Sequence, residues 1–157
     1  MKTVLLGLLF AIFSSVASAH EMRPSVASLS VDSQGTLTLE LVTNMEAWIA
    51  NIDPSLSDTD DSPNAGHYDQ LRALGTNALV EAIKKGERDI TQAIEIVAGG
   101  GRIGMSLIAI EVLPVDDINL PRDTRLTLGG GLPDGVSSLV YRVHDTLPNT
   151  AVRLFLE

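Results

Sequence analysis

A strict alternation of apolar and polar residues over 36–42 constrains the fold of this chain more than any other feature. Leucines occupy every second position there, so an extended backbone places all of them on one face. The segment 25–31 alternates in the same way, and Asp32-Ser33-Gln34-Gly35 between the two is typical of a tight turn, with Gly where the backbone needs positive φ. The two segments therefore predict a β-hairpin with one buried face and one solvated face.

Strand signals return in the second half of the chain, where turns rich in Gly, Pro and Asp separate them. The further predicted strands are 93–98, 105–113, 124–128, 137–143 and 151–156, and the glycine triplets 99–101 and 129–131 are predicted turns. With the hairpin these make seven short strands, which predicts a mainly β fold, a seven-stranded antiparallel Ig-like β-sandwich. The residues expected between its two sheets are Leu29, Leu39, Ile110, Leu126 and Leu139.

Between the second and third predicted strands, over about residues 44–90, the apolar period changes to that of a helix. Ser62 followed by Pro63 is typical of a helix start, because Ser is a favoured N-cap and Pro a favoured first residue. The predicted helices are a short one capped by Asn44, a second over 63–74 and a third over 76–85 capped by Thr76. The chain is therefore expected to be α+β overall, with this helical insertion inside a single β-sandwich domain of residues 20–157.

Residues 1–19 have the three parts of a secretory signal peptide. Lys2 supplies the positive start, residues 4–13 are an apolar run too short to span the ~30 Å hydrocarbon core of a bilayer, and Ala17-Ser18-Ala19 fits the small-residue cleavage rule. We expect cleavage before His20 and a periplasmic or extracellular product. An uncleaved N-terminal anchor is the alternative. No later segment of the sequence is apolar and long enough to be a transmembrane helix.

Composition excludes several classes of function. The chain has 157 residues, no Cys, 11 Lys and Arg, and 20 Asp and Glu, which gives a formal net charge of −9. Without Cys there are no disulfides, zinc-thiolate sites, iron–sulfur clusters or thiol nucleophiles. The negative charge argues against nucleic acid as a partner, because phosphates need a basic surface. The motifs of serine hydrolases, zinc proteases and phosphate-binding loops are missing from the sequence, and we expect no enzymatic activity.

The predicted new N-terminus, His20-Glu21-Met22, is the first candidate site. Cleavage before His20 leaves an α-amine and an imidazole that can chelate one metal ion, and Cu²⁺ or Ni²⁺ suits such nitrogen ligands. Lytic polysaccharide monooxygenases and CopC-type copper carriers use an N-terminal His on a β-sandwich, and the likeness is confined to that architecture and His20. A monooxygenase also needs a second His, for which His67 and His144 are the candidates. The alternative is that His20 merely follows the cleavage point.

An acidic loop after the first predicted helix is a second candidate metal site. Asp58, Asp60 and Asp61 offer hard oxygen ligands of the kind that Ca²⁺ prefers. The loop is not an EF-hand, because Pro63 stands where that motif needs Gly, and Asp69 where it needs a bidentate Glu. The alternative is that these carboxylates cap the helix that follows.

Two His–Asp pairs and one basic segment complete the candidates. The pairs are candidate acid/base or ligand pairs, or else surface residues, and they are His67 with Asp69 and His144 with Asp145. The segment 120–125 is predicted to be a structural loop held by ion pairs of Arg122 with Asp123, Asp116 or Asp117.

Three stretches of the chain, taken in order, resemble the exported N-terminal domain of HupE/UreJ-type membrane proteins. They are 19–24 (AHEMRP), 58–61 (DTDD) followed by 68–72 (YDQLR), and 120–128 (LPRDTRLTL). The family names refer to hydrogenase and urease accessory functions, so the resemblance implies handling of nickel or another metal. Such proteins also carry a multi-helix membrane domain, which this sequence lacks. The resemblance therefore implies either a free periplasmic protein or the exported part of a longer membrane protein.

The sequence predicts a non-enzymatic, extracytoplasmic domain that handles or senses a divalent metal, Cu or Ni rather than Ca, for a membrane partner. Its candidate metal ligands are His20, Glu21, Asp58, Asp60, Asp61 and His144. The alternative is a metal-free interaction or assembly module of the cell envelope, in which the helical insertion contacts another protein. A copper oxygenase is a third class, and it needs exposed aromatic residues in a chain whose aromatic content is 4%.

Overall fold

The computed structural model describes residues 23–116, 120–144 and 150–156, which form eight strands and four α-helices. In chain order the elements are β1 (Ser25–Val31), β2 (Thr36–Thr43), α1 (Met45–Ile49), a 3-10 turn (Thr59–Asp61), α2 (Ala65–Arg72), α3 (Thr76–Lys85), α4 (Glu87–Ala93), β3 (Ile94–Ala98), β4 (Gly101–Arg102), β5 (Ser106–Val112), β6 (Thr124–Gly131), β7 (Leu139–Val143) and β8 (Thr150–Leu156). Within these ranges, none of the helices has the length and apolar character needed to cross a membrane.

Five strands form one sheet in the order β5-β6-β2-β1-β8. The register places Leu29 of β1 opposite Leu39 of β2, and Leu39 opposite Leu128 of β6. Because paired residues share a face of the sheet, the leucines of three neighbouring strands lie on one side. These inward residues are almost completely buried, and they are Ala27, Leu29, Leu37, Leu39, Leu41, Leu126 and Leu128.

A second layer covers that leucine face. It consists of a three-stranded sheet in the order β4-β3-β7 together with helices of the insertion. Its buried side chains come from β3, α3 and α4, and they are Ile94, Ile96, Leu79, Ile83 and Ile90. A smaller apolar cluster joins α1 to α2 through Ala47, Tyr68 and Leu71. The main core therefore lies between a β layer and a mixed layer of strands and helices.

The fold is mainly β and α+β overall, as the sequence predicts, and each predicted strand is present with its ends shifted by a few residues. The seven-stranded antiparallel Ig-like sandwich is not confirmed, because the described chain has eight strands and β8 pairs with β1 in parallel. β7 lies in the other sheet, so the chain crosses between layers before β8, and such a crossing does not impose the antiparallel direction of a tight hairpin. Of the predicted core residues, Leu29, Leu39 and Leu126 are buried, whereas Ile110 and Leu139 are half-buried.

The helical insertion is present, but helix α2 starts later than predicted. It begins at Ala65, and Asn64 is its N-cap residue. Ser62 instead ends the 3-10 turn, where its Oγ accepts a 3.1 Å hydrogen bond from the Asn64 N–H. The Ser62 carbonyl oxygen then accepts from the Ala65 N–H over 3.1 Å. The predicted capping residue therefore stabilises the turn that leads into the helix, and not the helix itself.

The other insertion helices are closer to their predicted bounds. Asn44 caps α1 as predicted, since its Oδ1 accepts a 3.0 Å hydrogen bond from the Ala47 N–H. α3 has the predicted bounds, although Thr76 is its first helical residue and Gly75 occupies the N-cap position. The sequence pattern does not predict α4, because Ile90 is its one buried residue and a single apolar position gives no helical repeat.

The glycine triplet 129–131 lies inside β6 and not in the predicted turn. The chain that leads from β4 to β5 passes close to β6 at Gly130. A Cβ atom on Gly130 would lie 2.8 Å from the Gly104 carbonyl oxygen and 2.8 Å from the Met105 sulfur. Glycine is therefore needed there for a close approach of two backbones. The other triplet, 99–101, forms the predicted turn between β3 and β4, with two of its glycines at positive φ.

Candidate functional site

The short helix α1 takes part in two features that combine polar groups with a cavity. Glu46 belongs to a buried network that α1 shares with α2 and with the segment before β6. Trp48, two residues further on, lines an open cleft that α1 shares with α4 and the end of β7. Residues two apart on a helix point in directions roughly 200° apart, so one helix can contribute to both features.

Glu46 carries the most deeply buried charge among the described residues, and its side chain has no exposed surface. Arg122 donates to Glu46 Oε1 from Nε over 2.8 Å and also from Nη2. The same guanidinium donates from Nη1 to the Leu74 carbonyl oxygen over 3.1 Å, just after α2. Glu46 Oε2 has no hydrogen-bond partner within the described part of the chain. The ion pair thus joins α1, the end of α2 and the segment before β6.

Burial dominates the electrostatics of this network. Desolvation raises the pKa of Glu46, although the charges of Arg122 and Arg72 act in the opposite direction. Burial also raises the pKa of Asp123, where the charge of Arg23 acts to lower it. The Glu46 carboxylate therefore depends on its partner, because a buried charge that loses its counterion destabilises the fold by several kcal/mol.

A second part of the buried network centres on the Tyr68 hydroxyl. Asn44 Nδ2 donates to this oxygen over 3.0 Å, and Arg72 Nη1 donates to it over 3.2 Å. Arg72 Nη2 donates to the Leu120 carbonyl oxygen over 2.7 Å, and the guanidinium carbon lies 5.6 Å from the centre of the Tyr68 ring. Because Asn44 also caps α1, this hydroxyl links the start of α1 to α2 and to the segment before β6.

A cavity of about 310 Å³ lies beside the network. Its charged lining residues are Glu46, Arg72, Asp116 and Arg122. Both guanidiniums already donate to acceptors in other parts of the chain, and Glu46 has no surface exposed to solvent. We therefore assign a structural role to this network, which holds the insertion against the main sheet.

A larger cleft, of about 470 Å³, lies on the Trp48 side of α1. Its apolar lining residues are Trp48, Ile49 and Ala93. Its polar lining residues are Asn51, Asp89, Gln92 and His144, and Gly86 completes the lining. The His144 N–H donates to the Ala93 carbonyl oxygen over 2.9 Å, which holds the end of β7 against the end of α4. The cleft therefore combines an apolar surface, one aromatic ring and four polar residues from three parts of the chain.

The rim of the cleft includes an unusual backbone conformation at Asn51. Its φ of 56° is positive, which no other non-glycine residue of the described chain shows. Asn tolerates this left-handed conformation better than most residues do. Hydrogen bonds fix the turn, from the Asn51 N–H to the Trp48 carbonyl oxygen over 3.0 Å and from the Ile52 N–H to the Ala47 carbonyl oxygen over 2.9 Å. Asn51 therefore has a defined position at the mouth of the cleft.

The structure does not gather the predicted metal ligands into one site. Asp58 accepts a 3.0 Å hydrogen bond from the Asp60 N–H and caps the 3-10 turn, while Asp60 and Asp61 are exposed. His144 lies at the cleft, whose lining includes none of these aspartates. Across 23–116, 120–144 and 150–156, no three His, Asp or Glu side chains lie close enough together to hold one metal ion.

The remaining predicted candidates are on the surface or are not described. His67 and Asp69 are both exposed on α2. Three predicted site residues lie outside the described residues, and they are His20, Glu21 and Asp145. Metal binding at the new N-terminus and the pairing of His144 with its neighbour therefore stay predictions.

Arg122 forms an ion pair that the sequence does not predict. Its partner is Glu46, and not Asp116 or Asp123 of the predicted loop, while Asp117 lies outside the described residues. Glu46 gives little signal in the sequence, because it occupies a five-residue helix and its partner is 76 residues away. The one available sign is a charged residue between apolar neighbours in a segment that is expected to be buried.

Two of the segments that carry the family resemblance meet in the buried network. Arg72, from segment 68–72, donates to Leu120, from segment 120–128. No family model matches the chain, and comparison with curated proteins and with solved structures finds no significant similarity. The resemblance to HupE/UreJ-type proteins therefore stays a prediction.

Proposed function

We propose that this chain is a non-enzymatic binding domain of the cell envelope and that the cleft beside α1 holds its ligand. The cleft itself is the observation that supports this function. Its volume of about 470 Å³ suits a small ligand, and it combines Trp48 and aliphatic surface with a few polar side chains, as ligand pockets do.

The chemistry of the lining favours a small organic cation. Asp89 supplies the one carboxylate among the described lining residues, and an aromatic ring such as that of Trp48 attracts cations through its face. The amide oxygens of Asn51 and Gln92 accept hydrogen bonds from N–H donors. A chain with a net charge of −9 also attracts cations over longer distances. The proposed ligand is an amine or guanidinium attached to a short apolar body, free or as a side chain of a partner.

The described lining of the cleft has polar groups suited to orienting a bound ligand. Of the described residues around the cleft, none carries a hydroxyl or thiol that would act as a nucleophile. The polar groups are one imidazole, one carboxylate and two amides, which fix the orientation of a ligand through hydrogen bonds. We therefore propose binding at this cleft, and the absence of enzymatic activity stays a prediction.

Trp48 provides the test, because it is the single Trp of the chain and lines the cleft. We expect saturable changes in its fluorescence on titration with n-butylammonium or n-butylguanidinium, and none with the neutral n-butanol. Asp89→Asn should weaken binding about fivefold or more, since it removes the carboxylate from the cleft. The control is Asp134→Asn, which changes the net charge equally at an exposed residue outside the cleft. Equal binding by both variants, or no saturable response at all, would contradict the proposal.

A divalent metal at the predicted new N-terminus is the second candidate function, and one observation favours it. Arg23 lies close enough to Asp123 for its charge to oppose the burial that raises the pKa of that carboxyl group. Three peptide units separate His20 from Arg23, a distance of at most about 11 Å. The length of the chain therefore allows Asp123 to serve as an oxygen ligand beside the amine and imidazole that cleavage before His20 would create. This candidate agrees with the metal handling that the HupE/UreJ resemblance implies, and Glu21 is the other carboxylate nearby in sequence.

A further inference from the structure

The two edges of the five-stranded sheet are protected very differently. At one edge, helices α3 and α4 pack against β5, and the pairing of β5 with β6 is interrupted by a bulge between Leu107 and Ala109. Covering helices and bulges are devices by which proteins prevent a sheet edge from pairing with another chain. At the other edge, β8 pairs with β1 over seven residues without a register shift, and its residues 151–155 are all exposed.

The inward face of β8 is an uncovered continuation of the core. Val152 lies opposite Ala27 and Leu154 opposite Leu29 in the parallel pairing, so all four point to the same side of the sheet. The two β1 residues are 0% and 1% exposed, whereas Val152 is 50% and Leu154 55% exposed. Among the described residues, the second layer therefore covers β1 and stops short of β8. Two adjacent inward positions of a regular strand are left with apolar side chains in water.

We propose that the outer edge of β8, which pairs with no further strand among the described residues, accepts an extended segment of a partner protein as the sixth strand of this sheet. Strand addition satisfies the outward N–H and C=O groups of an edge strand, and pockets for alternate side chains give the selectivity. Here the partner strand places apolar side chains beside Val152 and Leu154 and so extends the core face. This surface is separate from the cleft at Trp48, so the inference stands apart from the function proposed above.

The charge of β8 specifies the partner further. Arg153 is the one charged residue of the strand and lies on the outward face, opposite Ser28 of β1. Among the described residues it makes no ion pair. An acidic residue at the facing position of the partner strand would therefore be favourable, as opposite charges across strands are. The partner is a segment of alternating pattern, with apolar residues on one face and a carboxylate at the centre of the other.

The same arginine argues against a second copy of this chain as the occupant. Full antiparallel pairing of two β8 strands, each Thr150–Leu156, places Arg153 directly against Arg153. Like charges opposite each other destabilise a strand pair. Each copy also carries a net charge of −9, which adds a general repulsion between copies.

The test uses a synthetic strand as the probe. The peptide VTVEVTV, blocked at both ends and carrying a soluble Gly/Ser tail, has valines on one face and a single Glu at the centre of the other. We expect it to slow amide hydrogen exchange in β8 and to leave exchange in β5 unchanged. Replacing its Glu by Lys should weaken binding on the order of fivefold, because the cross-strand ion pair becomes a repulsion.

Matched variants distinguish strand addition at β8 from nonspecific binding of the peptide. Leu154→Lys should reduce binding of the Glu peptide at least about tenfold, since it puts a charge on the apolar face of β8. Ile108→Lys is the control, because Ile108 is 66% exposed on the protected edge strand β5. Both sites are exposed, so both variants should keep the thermal stability of the wild type. Binding that is lost equally in both variants, or no protection of β8 at millimolar peptide, would overturn the proposal. A wild-type dimer that Leu154→Lys dissociates would also overturn it, because the occupant would then be a second copy.

Discussion

Arg122 holds the carboxylate of Glu46 inside the protein, although the two residues are 76 positions apart in the sequence. Glu46 is completely buried and Arg122 nearly so, with side-chain exposures of 0% and 14%. The pair connects the start of the helical insertion to the segment that enters β6, and a second donor from Arg122 reaches the Leu74 carbonyl oxygen after α2. The position of α1, and with it that of Trp48 in the cleft, therefore depends on this contact.

Removal of Arg122 should destabilise the fold strongly. Arg122→Ala leaves the Glu46 carboxylate buried without its counterion, which costs about 3–5 kcal/mol in other proteins. The free energy of unfolding from urea titration measures the loss. The control is Lys84→Ala, which breaks the exposed ion pair with Glu81 and should cost less than about 1 kcal/mol.

The double variant Glu46→Leu with Arg122→Ala tests the cause of that loss. Because it removes the charge that Arg122→Ala leaves unpaired, it should be more stable than Arg122→Ala alone. A double variant that is less stable than Arg122→Ala would show that the loss arises from packing or from the bond to Leu74, and not from the buried charge.

The buried Glu46 carboxyl group should make the free energy of unfolding depend on pH. Burial raises the pKa of Glu46 in the folded state above its ordinary value of 4.5, so the folded protein binds a proton more readily than the unfolded chain. Protonation of Glu46 therefore stabilises the folded state. This contribution to the free energy of unfolding is complete below pH 4.5 and is lost as the pH rises through the folded-state pKa. We therefore expect the free energy of unfolding to increase as the pH is lowered from 7 towards 4.5. The raised pKa of Asp123 acts with the same sign.

Glu46→Gln should flatten this dependence, whatever its effect on stability at pH 7. Unfolding in urea at a series of pH values measures the slope, and Glu46→Gln combined with Asp123→Asn should flatten it further. Asp32 and Asp53 act in the opposite direction, because hydrogen bonds lower the pKa of each in the folded state. Their contribution is lost only as the pH falls below about 3.8, outside the window tested. An unchanged slope in Glu46→Gln would contradict the assignment.

The strands of this fold could be predicted because their signal is local. Alternating residues in β1 and β2 determine which face is buried, and the leucines at 37 and 39 are buried as that pattern requires. The parallel pairing of β8 with β1 could not be predicted in this way, because it depends on which layer the chain enters after β7. The full length of β6 could not be predicted either, because three consecutive glycines are typical of a turn. They continue the strand here because another segment of the chain passes close to them.

The candidate site is harder to predict because it depends on contacts between distant parts of the chain. The cap at Asn44 is a local signal and is confirmed, whereas the cleft brings together α1, α4 and the end of β7 from three parts of the chain. The sequence predicts His144 as a metal ligand or as a pair with Asp145; His144 lines the cleft, and its metal binding stays a prediction. Asp89 and Gln92 belong to a helix whose single buried residue gave no pattern from which to place them.

Gly130 should not tolerate a side chain. In Gly130→Ala the new Cβ would lie 2.8 Å from the Gly104 carbonyl oxygen, a backbone atom that cannot move aside without shifting the crossing segment. We expect a loss of about 1–3 kcal/mol in the free energy of unfolding, as for other overpacked sites. Gly131→Ala is the matched control in the same strand, because nothing lies within 4 Å of its Cβ position. A thermal melt of both variants decides the matter, and equal stability would contradict the close approach.

Asn44 should matter more than the predicted cap at Ser62. Asn44→Ala removes the acceptor for the Ala47 N–H and the donor to the Tyr68 hydroxyl, so we expect a loss of about 2 kcal/mol. Asn44→Ser keeps the capping acceptor and loses the donor, and it should be intermediate. Ser62→Ala loses one hydrogen bond from the Asn64 N–H and should cost about 1 kcal/mol. Chemical denaturation gives the order, and a larger loss for Ser62→Ala than for Asn44→Ala would contradict this account.

The metal prediction concerns the N-terminus that cleavage before His20 would create. The mature chain should bind Cu²⁺ or Ni²⁺ through its free α-amine and the neutral imidazole of His20. His20→Ala removes one nitrogen ligand, and one extra residue placed before His20 displaces the amine from the chelate. We expect each change to raise Kd at least about tenfold, which corresponds to about 1.4 kcal/mol of binding free energy.

Calorimetric titration of four forms distinguishes this chelate from other sites. The precursor with residues 1–19 attached should bind as poorly as the form with one extra residue, because in both the amine of His20 is part of a peptide bond. Asp123→Asn in the mature chain should weaken binding by a smaller factor if its carboxylate completes the site, whereas Asp134→Asn should have no effect. Equal affinity in the mature, extended, precursor and His20→Ala forms would contradict the N-terminal site and move the test to Asp58, Asp60 and Asp61. Quenching of Trp48 fluorescence that His144→Ala abolishes would instead place the metal in the cleft.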